Sequence, residues 1–472
     1  MEIYLPDDPA ALQRKLAARI LPLQKSVICP DTVRTHAMAI RAELVGPGRP
    51  TAPLIMTGHQ PLFYPPGILI KNMLAGTLAR ALGGSAVNLV VDTDEEELVF
   101  RYPVFHDRTA SGAALARRES IVLNEGGVIL GEQEWDPGKR ERFQSALAEA
   151  RATATRIFAE DRAGVVESAI GEIESALAGS RRPFDAAVAM RETFERENAL
   201  SLPTVFVSDL VRSDAYRYFL KVIQENADDF RAAYNGALHE YRRARRIKNP
   251  AQPLPDLGTG ELPFWVLKDG RRVALREEDL NGDHVILPRA VTLTLFARLF
   301  LCDLFIHGRG GARYDQITDK ILKNFFDCDG APYTVASATL ALHPMDDFPL
   351  GGRTTGEIDR DLRNLRFDPG RFLPPDDELF AERARLIERF RAPGGDRAAL
   401  HRDFTALRDT ARRRLDHVHD SLTRERERAE LVGRNRDVFQ DREYPFFFYD
   451  LTPLEAAVRP FAELRLPSTM TS

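Results

Sequence analysis

The sequence predicts an α/β protein: a parallel-sheet core with inserted segments, plus an α-helical coiled-coil domain. Two strand–loop–helix–strand units and one heptad repeat predict it. The units run from Leu54 to Glu97 and from Asp303 to Ala336, and the repeat lies within 376–432. Strands alternating with helices argue for a parallel sheet flanked by helices.

In the first unit, Leu54-Ile55-Met56 leads into Thr57-Gly58-His59-Gln60-Pro61, and a loop then passes Phe63, Tyr64, Pro65, Pro66 and Gly67. Residues 68–82 are apolar at helical spacing and stop at Gly83-Gly84, where a C-cap glycine belongs. Ala86 to Val91 reads as a buried strand ending in Asp92-Thr93-Asp94, after which Glu95, Glu96 and Glu97 read as solvent-facing. Ligands of open α/β sheets bind beyond the carboxyl ends of the strands. Both strand ends carry chemically able side chains: Thr57, His59 and Gln60 on one, Asp92 and Asp94 on the other.

Residues 1–53 form a leader, with a helix expected over Pro9 to Ile20. Val99 to His106, 120–124 and 127–131 read as extended, and about 138–199 as helical, with Val166, Ile170, Ile173 and Leu177 as a buried stripe. Thr204 to Ser208 is a strand and 213–245 is helical. A hairpin occupies about 262–277 and turns at Asp269-Gly270. Val285 to Arg289 precedes a helix that runs through Phe300. In the second unit Asp303 to Ile306 runs into His307-Gly308-Arg309-Gly310-Gly311-Ala312-Arg313. A helix then reaches Phe326, and the unit closes on the strand Tyr333 to Ala336.

The core is thus assigned to 1–375 and an antiparallel coiled coil to 376–432. One seam is Leu379, Arg383, Leu386 and Phe390; the other is Leu400, Phe404, Leu407, Ala411, Leu415, Val418 and Leu422, turned at Pro393-Gly394-Gly395-Asp396. The second seam is longer than the first can cover, and an uncovered apolar stripe predicts a homodimer. Residues 433–472, with Tyr444 to Tyr449 strongly aromatic, are expected to pack back on the core.

A length of 472 residues exceeds one compact core. A hydrophobic fraction of 44% and a charged fraction of 29% are ordinary for a soluble protein. The net charge of -5 supplies no global basic field for nucleic acid. Cys29, Cys302 and Cys328 give neither a disulfide framework nor zinc spacing. There is no signal-peptide pattern and no apolar run of membrane-spanning length, so a cytoplasmic protein without membrane partners is expected.

Each candidate residue has a bland alternative. His59 either donates to a developing negative charge or steadies its loop. Asp92 and Asp94, two apart, face one way if the chain is still extended. They then hold an ammonium, a ribose hydroxyl or Mg²⁺, or merely end a solvated strand. Lys71, in an apolar helix, reaches a phosphate as a point charge or snorkels to the surface. Gly308, Gly310 and Gly311 let a backbone approach a ligand at a helix start, with Arg309 and Arg313 adding charge, or form a tight turn. Trp265 lines a pocket or fills the core, and Cys302 and Cys328 read as buried hydrophobes.

Across nearly the whole chain, in element order, the sequence resembles the BshC family, the cysteine-adding ligases of bacillithiol biosynthesis. Thr57-Gly58-His59-Gln60 stands for the family's Thr-Gly-Gln-Gln, and Lys71 for its helix lysine. Val91-Asp92-Thr93-Asp94 stands for Glu-Asp-His-Asp, and Gly308-Arg309-Gly310-Gly311 for Gly-Pro-Gly-Glu. His59, Thr93 and Gly311 depart from the pattern. The resemblance implies a Rossmann-like core, an adenine-nucleotide site for ATP or ADP, and dimerisation through the coiled coil. The activity implied is the addition of an amino acid, cysteine in the family, to an amino-sugar acceptor such as glucosaminyl-malate. The three departures keep open two alternatives: a non-catalytic nucleotide- or metabolite-binding homologue, or a ligase for another amino acid or acceptor. Metal ligands are not assigned, although Mg²⁺ suits the two aspartates.

Overall fold

Five strands build the central sheet: β1 (Leu54–His59), β2 (Ser85–Val90), β3 (Thr204–Phe206), β4 (Leu304–His307) and β5 (Tyr333–Val335). They pair in the order β5-β4-β1-β2-β3, every neighbour parallel. The computed structural model describes residues 1–25, 31–45, 52–109, 112–282, 284–393 and 396–465. β1, β2 and β4 are apolar along most of their length and buried, as strands covered on both faces must be. The apolar helix α1 (Pro66–Leu82) links β1 to β2 and is buried along most of its length. Gly83, in the left-handed region at φ 64°, ends it, and Gly84 follows where a Cβ would fall 2.2 Å from the Pro53 carbonyl oxygen.

Between β2 and β3 the helical stretch is three helices, Pro137–Ile157, Glu160–Gly179 and α2 (Asp185–Glu197). The stripe Val166, Ile170, Ile173 and Leu177 is buried. The hairpin pairs Glu261–Lys268 with Arg271–Arg276. Asp269 and Gly270 both have positive φ, the two-residue turn whose twist suits a hairpin. Cys302 and Cys328 are buried.

Several expectations are corrected. Residues 127–131 are not a strand; a turn enters a short 3-10 helix at Leu130–Glu132. The strand at Thr204 stops at Phe206, because Val207–Leu210 coils into a helical turn capped by Asp92. The helix over 213–245 breaks at Asn226, whose amide bonds the Val222 carbonyl and competes with the helical pattern. After α-helical Ala290–Phe296 the chain turns π-helical at Ala297–Leu301 before β4. The helix after the glycine loop, α3, spans Ala312–Phe326.

The chain divides into two compact units: Met1–Tyr102, Glu119–His343 and Asp441–Ser472 form one, Pro103–Arg118 and Pro344–Gln440 the other. In the first, Tyr444 and Phe446–Phe448 are buried, and the Phe446 N–H donates to the Tyr64 carbonyl. The second is wider than 376–432. Among its described residues are helices α4 (Thr355–Phe367), α5 (Glu378–Arg391), α6 (Arg397–Arg414) and α7 (Asp416–Phe439). The Gly394-Gly395 turn lies outside the described residues.

The uncovered apolar stripe is also corrected. Leu400 and Leu407 pack with Leu386, while Ala411, Leu415 and Leu422 pack with Ile358, Leu362 and Leu365 of α4. The sequence predicts no helix at α4, because 355–367 is rich in charge and poor in apolar residues. Its few apolar residues, four and three apart, cover the remainder of the seam within one chain. No described helix is long and apolar enough to cross a membrane.

Candidate functional site

The strand order reverses between β1 and β4, so their carboxyl ends border the crevice where open sheets bind ligands. Thr57 faces Ile306 across that junction, and its buried hydroxyl donates to the Ile306 carbonyl at 3.0 Å. It fastens the two strands just short of their ends.

α1 brings Lys71 to the end of β1. The side chain is 3% exposed, so it does not snorkel, and its Nζ donates to the Gly58 carbonyl at 2.7 Å. Burial, with no carboxylate opposing it, pushes the amine down to about 7. His59 is half-buried beside it, with its ring edge on Tyr64 at 5.8 Å and Nδ1 3.4 Å from the Gln60 carbonyl oxygen. Burial first, then the charge of Lys71, push its imidazole down to about 3. The pair offers a neutral imidazole and an amine close to its own titration point.

Gln60 and Asp94 meet: the Gln60 amide donates to Asp94 at 2.7 Å, and Arg272 donates to the other carboxylate oxygen at 2.7 Å. Arg272 and Arg289 both lie over the half-buried Trp265, at 5.6 and 4.2 Å from its ring centre. Trp265 is therefore joined to the strand end through guanidinium stacking. Glu95 is not simply solvent-facing, for it accepts the Arg272 N–H at 2.7 Å.

Asp92 and Asp94 do not face one way, because regular extension stops at Val90. Asp92 is wholly buried and accepts from the Ser208 N–H at 3.0 Å and hydroxyl at 2.5 Å. A Cβ at Gly131 would stand 3.0 Å from its carboxylate. Burial raises its pKa above the ordinary carboxylate value, making it a weaker acid, against the Ser208 bonds. Both aspartates thus spend oxygens on the protein. Among the described residues no group of three or more His, Cys, Asp and Glu is placed to hold a metal ion.

The glycine loop also differs from expectation. The N–H groups of Ala312, Arg313 and Tyr314 already donate to the carbonyls of Gly308, Gly310 and Gly311. α1 starts at Pro66 behind Pro65, two residues without an N–H. These helix starts therefore present fewer free donors than the sequence predicts. Arg309 is turned to the amino-terminal strand, paired with Glu2 and lying over Tyr4; Arg313 is exposed. Gly308 and Gly310 have open space where a Cβ would sit, whereas a Cβ at Gly311 would lie 2.8 Å from Nδ1 of His307.

His307, Asp315 and Arg298 escaped the sequence reading. His307 ends β4 with Nε2 2.5 Å from Asp315 of α3, and Arg298 of the π-helical turn lies 3.5 Å from the same carboxylate group. The signal was present: a histidine between a strand and a glycine loop, followed eight positions on by an acid in the next helix. A second buried group, Asn72, Arg191 and Glu195, lies behind α1, with Glu195 pushed up to about 7 by burial. One cavity of about 450 Å³ opens elsewhere, among Met73, Thr77, Arg80, Leu200, Val458 and Arg465. Comparison with protein-family models found none that matches this chain, and comparison with curated proteins found no match either.

Proposed function

We propose that the chain is a ligase-type enzyme with a Rossmann-like core, binding an adenine nucleotide at the junction of β1 and β4. The observation that carries the reading is Lys71: a buried amine with no carboxylate partner among the described residues, at the point where the strand order reverses. Perturbed, unpaired groups of this kind concentrate at functional sites. An anion reaching Lys71 restores its charge, so phosphate or carboxylate binding there takes up a proton. Neutral His59 adds one N–H donor beside it. As the BshC resemblance implies, the reaction joins an amino acid carboxyl, cysteine in the family, to the amine of an amino sugar such as glucosaminyl-malate.

Calorimetric titration with ADP and ATP, with and without Mg²⁺, tests the reading. Above pH 7, in two buffers of different ionisation heat, binding should take up a proton in wild type and be lost in Lys71→Met. Absence of heat with both nucleotides removes the nucleotide site. A non-catalytic binding homologue is favoured by one observation, the commitment of Asp92 and Asp94 to Ser208, Gln60 and Arg272. Nucleotide binding without product from cysteine and glucosaminyl-malate selects it, or a ligase for other substrates. Dimerisation through a coiled coil at 376–432 rests on the resemblance alone; a monomer by light scattering of the full chain removes it.

A further inference from the structure

His307 sits at the carboxyl end of β4, on the sheet face opposite His59. Thr57 pairs with Ile306 in register, and side chains alternate along a strand. Both histidines stand at the carboxyl edge, where the strand order reverses. The histidine is held from behind. Its Nε2 is wholly buried and 2.5 Å from Asp315, itself 1% exposed; the contact is one of charge, since neither atom has a hydrogen bond of regular geometry. Arg298 stands behind the acid at 3.5 Å, anchored by a 2.7 Å bond from its Nε to the Ala331 carbonyl and by Asp319 at 2.5 Å. That arginine is delivered by the π-helical turn Ala297–Leu301, and such turns recur at functional sites. The opposite nitrogen, Nδ1, lies under the glycine loop. The loop keeps clear of it only because residue 311 has no Cβ.

We propose that His307 is the proton acceptor of the site, with Asp315 and Arg298 as its positioning residues and Gly311 as the gap that leaves Nδ1 reachable. A carboxylate 2.5 Å from one ring nitrogen draws the proton to it by charge and leaves the lone pair on the other. Resting on the ligase reading, the step is as follows. The acceptor amine, over residues 308–311, attacks the activated carboxyl and its electron pair forms the C–N bond. Its N–H bond breaks and the proton passes to Nδ1. The carboxyl's activating phosphate group leaves with its own bonding pair, and His307 afterwards releases the proton to water.

Labelling of the ligand-free full chain with diethyl pyrocarbonate, which acylates an accessible neutral imidazole nitrogen, tests the arrangement. Sites are mapped by mass spectrometry, with exposed His284 as internal reference. His307 should be labelled in wild type and in Gly310→Ala, and lose its labelling in Gly311→Ala. Asp315→Asn should slow labelling at His307 without changing His284 or the circular dichroism spectrum. If Gly311→Ala does not fold, the Asp315→Asn comparison decides. An unlabelled His307 in wild type, or equal labelling in Gly310→Ala and Gly311→Ala, overturns the proposal. The measurement needs no nucleotide, so a failed titration counts against the ligase reading while an unlabelled His307 counts against this one.

Discussion

β1 has a buried cation at each end, and the two are treated differently. At the amino end Arg41, 6% exposed, donates to both oxygens of Asp303 at 2.9 and 2.5 Å, and Asp303 also takes the Leu54 N–H at 2.8 Å. At the carboxyl end Lys71 has a single carbonyl, that of Gly58. A charge pair whose acid also bonds the first strand residue completes a strand; a lone amine at the carboxyl edge completes nothing. Desolvating a cation without a partner is costly, and of these two ends the structure carries that cost at the carboxyl one.

Breaking the amino-end pair should give the largest effect. Asp303→Ala leaves Arg41 buried and uncompensated, and the loss expected is roughly 3–5 kcal/mol in denaturant unfolding. A loss below about 1 kcal/mol would mean the pair behaves like an exposed one, and the contrast between the two ends would collapse.

The carboxyl end should respond with the opposite sign. Folding lowers the Lys71 amine from its ordinary value of 10.5 to about 7. Between these values the unfolded chain binds more protons, so this group makes stability rise with pH from 7 to 10.5. Below pH 7 the penalty is fully present. Lys71→Met should therefore stabilise the protein near neutral pH, by at most about 5 kcal/mol at 1.36 kcal/mol per pH unit, less the lost bond to Gly58. The advantage should shrink as pH approaches 10.5. Melting curves of both proteins across that range check it; a destabilised variant at pH 7, with no pH trend, would show that Lys71 is a structural donor.

The same contrast explains what the sequence discloses. Both strand–loop–helix–strand units are legible because apolar runs and helical spacing are local. Asp269-Gly270 is legible because a two-residue hairpin turn needs positive φ at both positions. The site is less legible, because partners decide it. Nothing near Asp92 announces Ser208, 116 positions on. Nothing near Asp94 announces Arg272. The helix α4 was missed because its charged surface hides three apolar residues that cover Ala411, Leu415 and Leu422. Lys71 was legible as an odd residue in an apolar helix, yet only burial on every side distinguishes a functional amine from a snorkelling one.

Asp92 sharpens the comparison at an intermediate size. It lies at the same carboxyl edge as Lys71 but is paired like Arg41, with both oxygens engaged by Ser208. Asp92→Asn converts one acceptor into a donor facing Ser208 and should cost about 1–3 kcal/mol, seen as a lower melting temperature of the ligand-free protein. An unchanged melting temperature would return Asp92 to the ligand-binding set.

The smallest effect is expected at Gly310. Its neighbours leave open space where a Cβ would stand, and its backbone is outside the left-handed region that disfavours side chains. Gly311, one residue on, meets Nδ1 of His307 at 2.8 Å. If the edge is built around contact, as the amino end of β1 is, the two glycines must differ. Gly310→Val should change stability by no more than about 0.5 kcal/mol, as surface substitutions do. Gly311→Val forces the imidazole off Asp315 and should cost about 1–3 kcal/mol, the usual range for overpacking. Parallel denaturant titrations of the two variants read the difference directly. Equal losses would mean that the loop packs more tightly than its geometry implies, and that the space above His307 is not open to a ligand.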